Sequence, residues 1–171
     1  MHEGILADLE TGKHIALVSD AGTPGVSDPG VLLVARAREA GALVEAVPGA
    51  SALTAAFSIS GIIGNGFVFI GFVPHKKGRQ TFFKEIAEEE RPVIFYESPH
   101  RIIKTLTSLA EILTPKQNKG DEGLPIDWKV IVARELTKMF EEVVEGTPEE
   151  VLEYFTLNPD KVRGEFVVMV T

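Results

Sequence analysis

"LVSDAGTPGVSDPG", Leu17–Gly30, follows directly on an apolar run and gathers three glycines, two prolines, two aspartates and three hydroxyl residues. The residues leading into it, His14–Ser19 (HIALVS), read as a buried strand, so the stretch is a loop at a strand's carboxyl end. Asp28–Pro29 reads as a helix N-cap and first-turn proline. A helix over Val31–Ala40 follows, and Gly41 stops it. Leu43–Val47 reads as a second strand ending at Pro48–Gly49, and Ser51–Ser60 as a helix of small residues. This β-α-β-α order predicts a parallel sheet with crossover helices.

Two strands are too few for such a unit, because a parallel sheet has to be covered on both faces. Met1–Gly12 reads as the end of a helix whose earlier partner strands are absent. The first domain is therefore expected to lack its N-terminal half, through a truncated gene, a fragment, or a chain whose partner completes it.

Gly61–Gly66 (GIIGNG) is a glycine-rich break between a helix and a strand. That is the reverse of the dinucleotide-binding order, so it reads as a hinge. It divides the expected domains into 1–64 and 65–171. Beyond it, strands are expected over Phe67–Val73, Pro92–Tyr96, Lys129–Ala133 and Glu165–Val170, with Met139–Glu145 as a partner. Helices are expected over Gly78–Glu90 and Pro99–Leu113, the latter capped by Ser98. Thr147-Pro148-Glu149-Glu150 carries the signature of a capping box. Thr114–Trp128, polar and broken by proline and glycine, reads as an exposed loop. The fold class is α/β, a partial parallel-sheet N-terminal domain followed by a mixed sheet of four or five strands.

Composition narrows the function. The 171 residues suit one large domain or two small ones, and a hydrophobic fraction of 44% with 25% charged suits a soluble globular protein. The apolar runs are far shorter than the ~20 residues that span a bilayer, and no signal peptide is read, so a cytoplasmic protein with no membrane is expected. There is no cysteine, and the four histidines lack the paired spacing of a metal site, so no metal is expected. A net charge of −8 argues against a non-specific nucleic-acid binder.

Four loops stand at strand ends, where ligands bind in open α/β sheets. Asp20–Pro24 and Pro48–Ser51 offer small residues, hydroxyls and free backbone N–H groups. Ligand contact and an ordinary turn both remain open for Asp20–Pro24, whereas a cap suffices for Asp28. Tyr96–Arg101 (YESPHR) puts Glu97, His100 and Arg101 in one turn, with cationic residues running against a helix dipole. Ala133–Lys138 (ARELTK) reads either as a site or as a solvated hairpin with a salt bridge. A turn glycine explains Arg163-Gly164-Glu165. Pro74–Arg79 (PHKKGR) concentrates basic residues in an acidic chain and is the leading candidate for a phosphate-backbone contact.

Taken in order, "ALVSDAGTPGVSDPG", "VPGASA", "GFVPHKKGR", "IFYESPHRI", "VARELTK" and "RGEFVVMV" resemble the tetrapyrrole-methylase superfold. Within it they resemble the 16S ribosomal RNA cytidine 2′-O-methyltransferase branch, over nearly the whole chain. The resemblance implies two α/β domains, a homodimer, and S-adenosylmethionine in the cleft between the domains. It implies cofactor contacts from Asp20, Ala21, Gly22, Thr23 and Pro24, flanked by Pro48, Gly49 and Ser51. The loop over Thr114–Trp128 is similar to a branch-specific insertion.

The implied reaction moves a sulfonium methyl to a cytidine ribose 2′-oxygen of 16S rRNA in the small subunit. Glu97, His100 and Glu135 are the candidates to take or polarise the hydroxyl proton. Lys76, Lys77, Arg79 and Arg101 are the candidates to hold RNA phosphates. Two alternatives stand beside this reading. One is a methyltransferase of the same superfold acting on an anionic tetrapyrrole. The other is a non-catalytic remnant that binds RNA or a partner.

Overall fold

The computed structural model describes residues 2–64, 66–113 and 127–171. The expected loop over Thr114–Trp128 therefore lies outside the described residues as far as position 126, and so does Asn65 of the expected hinge. The chain falls into two units, Met1–Ser51 and Ala52–Thr171. The division precedes the glycine-rich segment, because the helix expected over Ser51–Ser60 packs on the second unit's sheet.

In the first unit, α1 (His2–Glu10) meets α2 (Val31–Glu39). The stop at Gly41 is as expected: the Gly41 N–H donates to Arg38 O and the Ala42 N–H to Ala37 O, which closes the α2 carboxyl end in a Schellman arrangement. Two expectations are corrected. His14–Ser19 and Leu43–Val47 form no strands, because a strand requires ladder bonds to a neighbour and neither segment has one among the described residues. Their side chains stay in solvent, with Val18, Leu43 and Val47 each more than 80% exposed. Asp28 does not cap α2. The helix begins at Val31, so Gly30 holds the capping position and Asp28 lies two residues too early.

The second unit is built on one five-stranded mixed sheet. Its strands are β1 (Val68–Phe72), β2 (Val93–Glu97), β3 (Val130–Arg134), β4 (Glu142–Gly146) and β5 (Phe166–Val170), in the order β1-β2-β5-β3-β4. Only β1 and β2 run parallel; the other pairs are antiparallel. This is the mixed α/β sheet expected from the sequence.

Period-two alternation sorts the strand residues onto two faces. Val93, Phe95, Val130, Val132, Phe166, Val168 and Val170 pack against α4 (Arg79–Glu88), α5 (Ile102–Leu113) and α6 (Pro148–Leu157). Ile94, Ile131, Ala133, Val167 and Met169 face α3 (Ala52–Ile59), whose Ala56 is fully buried among them. The capping box at α6 forms as read: Thr147 Oγ1 accepts from the Glu150 N–H, and the Glu150 carboxylate accepts from the Thr147 N–H. Such a cap stabilises by about 1 kcal/mol. The expected Ser98 cap is different. Its hydroxyl accepts from Arg101 Nε rather than from a helix N–H, and α5 starts at Ile102.

Candidate functional site

Strand register places most of the singled-out residues of the second unit along one edge of the sheet. Glu97 ends β2 and Arg134 ends β3, and both stand opposite Phe166 at the start of β5. The loops after β1, β2 and β3 and the lead-in to β5 therefore share that edge.

Glu97 ends its strand on the face covered by α4, α5 and α6 and is 2% exposed. Its Oε1 accepts from the Ser98 N–H at 2.7 Å and pairs with Arg101 Nη2 at 2.8 Å; its Oε2 accepts from Thr105 Oγ1 at 2.7 Å. Arg101 also donates through Nη1 to the Val73 carbonyl at 2.8 Å. Arg79 comes in from the other side, donating to Thr105 Oγ1 at 3.2 Å with its guanidinium 4.8 Å from the Phe83 ring centre. Burial lowers the Arg79 pKa, the Glu97 charge opposes that, and Arg101 adds to it. The buried carboxylate thus gathers two guanidiniums that were expected to meet RNA phosphates. Both are turned inward.

The consequence falls on the loop between them. Arg101 holds its first end at Val73, and Arg79 holds its second, so His75, Lys76 and Lys77 project from a clamped loop and all three are exposed. His100 is also exposed and makes no hydrogen bond among the described residues.

Glu135 lies on the same edge but apart from Glu97. Its carboxylate accepts from Lys138 Nζ at 3.0 Å and from the Glu165 N–H at 3.1 Å, and these bonds lower its pKa. Its backbone is left-handed, with φ 49°. The carboxylate lies over Gly164, where a Cβ would meet Glu135 Oε1 at 2.0 Å. Gly164 itself has φ +82°, so a close approach and a left-handed turn both call for glycine there.

Sequence reading missed Thr105, and it placed Tyr96 in the Tyr96–Arg101 group without giving it a role. Thr105 joins Glu97 to Arg79 from α5. Tyr96, next to last in β2, lies on the α3 face, and its hydroxyl accepts from the Leu53 N–H at 3.2 Å, serving one of the N–H groups at that helix's N-terminus. Strand alternation through Val93–Glu97 was the available signal, since it sends Tyr96 and Glu97 to opposite faces.

The expected cofactor residues belong to the first unit. Thr23 Oγ1 donates to the Ala50 carbonyl at 3.1 Å, which ties Asp20–Pro24 to Pro48–Ser51. Gly22 has φ +74°, and Asp20, Ala21, Gly22, Pro48 and Gly49 are exposed. A tied pair of small-residue loops with exposed backbone fits an extended polar ligand such as S-adenosylmethionine. Among the described residues no cluster of His, Asp and Glu is arranged to hold a metal, and no helix is long and apolar enough to cross a membrane.

A mixed sheet with helices on both faces, whose strand-end loops carry the polar clusters, defines an α/β protein. Residues 2–152 match the Tetrapyrrole (Corrin/Porphyrin) Methylases, and the chain belongs to that family. It is similar to proteins named ribosomal RNA small subunit methyltransferase I. Identity is 46% over 98% of this chain and 58% of the *Xylella fastidiosa* protein, and 40% over 98% of this chain and 69% of the *Thermotoga maritima* protein. With the *Synechocystis* protein it is 45% over 97% of this chain and 55% of the relative. The chain spans a little over half the length of several of the curated relatives it matches. Among solved structures, the methyltransferase CobJ superposes with a TM-score of 0.65 at 21% identity, over 99% of this chain and 69% of that one. A *Thermus thermophilus* uroporphyrin-III C-methyltransferase complexed with S-adenosylhomocysteine gives 0.57 at 20% identity, over 98% of this chain and 70% of that one. These two likenesses establish the fold.

Proposed function

We propose that the protein takes part in S-adenosylmethionine-dependent 2′-O-methylation of a cytidine ribose in 16S rRNA, acting on the small ribosomal subunit in the cytoplasm as a homodimer. The observation that carries this reading is the 40–46% identity to proteins named ribosomal RNA small subunit methyltransferase I, spread over 97–98% of the chain. The clamped basic loop gives the reading a physical basis.

Asp20–Pro24 and Pro48–Ser51 hold the cofactor. When bound, S-adenosylmethionine supplies an activated methyl group, so the protein's task is alignment and removal of one proton from the ribose hydroxyl. Among the three candidates for that proton, His100 has nitrogens free of hydrogen bonds. Glu97 is engaged on both carboxylate oxygens by the Ser98 N–H, Arg101 and Thr105, so it positions rather than accepts, whereas the bonds to Glu135 both fall on Oε1 and Glu135 stays a candidate beside His100. Lys76 and Lys77 contact phosphates, whereas Arg79 and Arg101 hold the lysine loop in place.

The test is transfer of labelled methyl to small ribosomal subunits, followed by alkaline hydrolysis. A 2′-O-methyl ribose leaves an alkali-resistant dinucleotide, which is the expected product. Label found in an alkali-sensitive product, or no transfer, overturns the reading. Transfer to a tetrapyrrole instead supports the other branch of the family.

A further inference from the structure

The sheet edge that carries the lysine loop ends in a second feature. A cleft of about 670 Å³ lies between the β3–β4 connection and the lead-in to β5. Arg134, 6% exposed, forms part of its wall. This guanidinium donates through Nη1 to the Phe140 carbonyl at 3.1 Å and through Nη2 to the Arg163 carbonyl at 3.4 Å. Its Nε–H has no partner among the described residues. A charge buried in this way fixes two backbone segments that border one cleft.

The side chains of those segments are left to solvent. Phe140 is 66% exposed, and Arg163 is exposed with no hydrogen bond from its side chain among the described residues. Most of the cleft's carboxylates are occupied. Glu142 accepts from Lys161 and Tyr154, Glu135 from Lys138, and Glu141 from the Thr137 N–H. Asp160 is exposed, and its carboxylate is not engaged among the described residues. The cleft therefore offers a bare aromatic face, a free guanidinium and a free carboxylate.

We infer that this cleft takes one exposed RNA nucleotide whose base bears an exocyclic amine, cytosine or adenine. The base stacks on Phe140, its amine donates to Asp160, and Arg163 meets the adjoining phosphate. Lys76–Lys77 and the cleft lie on one sheet edge, separated by three strand spacings from β1 to β3, about 14 Å. A single strand laid along the edge meets both. The inference rests on the function proposed above.

The experiment is fluorescence anisotropy of the full chain with short oligocytidine and oligouridine RNA across a salt series. Oligocytidine is expected to bind more tightly. Phe140→Ala is expected to weaken it by about tenfold, as loss of one stacked base does, while Phe140→Trp retains it. Arg163→Ala weakens binding and lowers the salt slope by about 0.7. Asp160→Asn makes the two oligonucleotides bind alike. Phe140 and Arg163 are exposed, so unchanged circular dichroism is expected for all variants.

If Phe140→Ala leaves binding unaltered while Lys76→Ala/Lys77→Ala weakens it, the cleft assignment is overturned and the proposed function stands. If the unsubstituted chain binds no RNA, both fall. If Phe140→Ala breaks association with a ribosomal protein but not with RNA, the cleft is a protein contact and the inference is wrong.

Discussion

Glu97 and Arg134 end two strands that never pair, yet both stand opposite Phe166 and share one rung of the sheet. Each is a buried charge, and neither bonds the other: Glu97 engages Ser98, Arg101 and Thr105, and Arg134 engages Glu142 and the Phe140 and Arg163 carbonyls. Glu97 anchors the segment after β1 through Arg101, and Arg134 anchors the segments around Phe140 and Arg163. The edge is thus braced from beneath at two points.

Removing the first brace gives a direct prediction. Glu97→Gln is expected to cost about 3 kcal/mol, because a buried pair loses one charge and Arg101 is left uncompensated. Urea denaturation measures it. Combined with Arg101→Ala, the loss is expected to fall well short of the sum of the two single changes. Strict additivity contradicts the clamp.

Gly164→Ala is expected to destabilise by roughly 1–3 kcal/mol, through a left-handed backbone that disfavours a Cβ and through collision with the Glu135 carboxylate. Adding Glu135→Ala removes the collision but not the backbone cost, so it restores part of the lost melting temperature. No recovery shows that the contact is unimportant.

Two carboxylate–lysine pairs shape the pH dependence. Burial works against ionisation at Glu142, but bonds from Lys161 and Tyr154 outweigh it and the pKa is lowered. Glu135 is lowered by Lys138 and the Glu165 N–H. A lowered carboxylate contributes stability above its unfolded pKa of about 4.3 and loses it as the pH falls through the lower folded value. Lys138 and Lys161 are raised by their carboxylate partners. Their contribution is complete below the ordinary lysine value of about 10.4 and is lost as the pH rises through the higher folded value. Melting temperature against pH should show a plateau between these limits. Glu142→Gln is expected to shallow its acid limb, and an unchanged limb refutes the assignment.

The lysines and arginines of the basic segment are expected to separate. Lys76→Ala/Lys77→Ala should lower the salt slope of RNA binding by about 1.4, from ~0.7 per phosphate contact, with little change in melting temperature. Arg79→Ala should lower the melting temperature, because its guanidinium bonds Thr105 and Ser108 and covers Phe83. Equal effects from both changes contradict the division of roles.

The legible part of this protein was whatever depended on local pattern. The short apolar runs within Pro92–Tyr96 and Glu165–Val170, the Gly41 stop and the Thr147–Glu150 box can each be read within a few residues. His14–Ser19 failed because its apolar run signals burial, whereas a strand also needs a hydrogen-bonded neighbour. Arg79 and Arg101 looked like solvent-facing cations, because charge is visible in a sequence and the buried carboxylate that turns them inward is fixed by register. Asp28 looked like a cap because Asp-Pro favours helix starts, but Gly30 took that position.

The sheet order carries a consequence for assembly. β5 follows all its neighbours in sequence yet lies in the middle, between β2 and β3. Until Phe166–Val170 arrive, only two separate pairs exist, β1 with β2 and β3 with β4, and a two-stranded piece is marginal in water. Cooperative formation of the second unit thus waits on its last strand, and non-local pairing of this kind folds slowly. While a ribosome is still making that strand, the rest of the unit has exposed strand edges, so a chain stalled before Phe166 is expected to recruit chaperones.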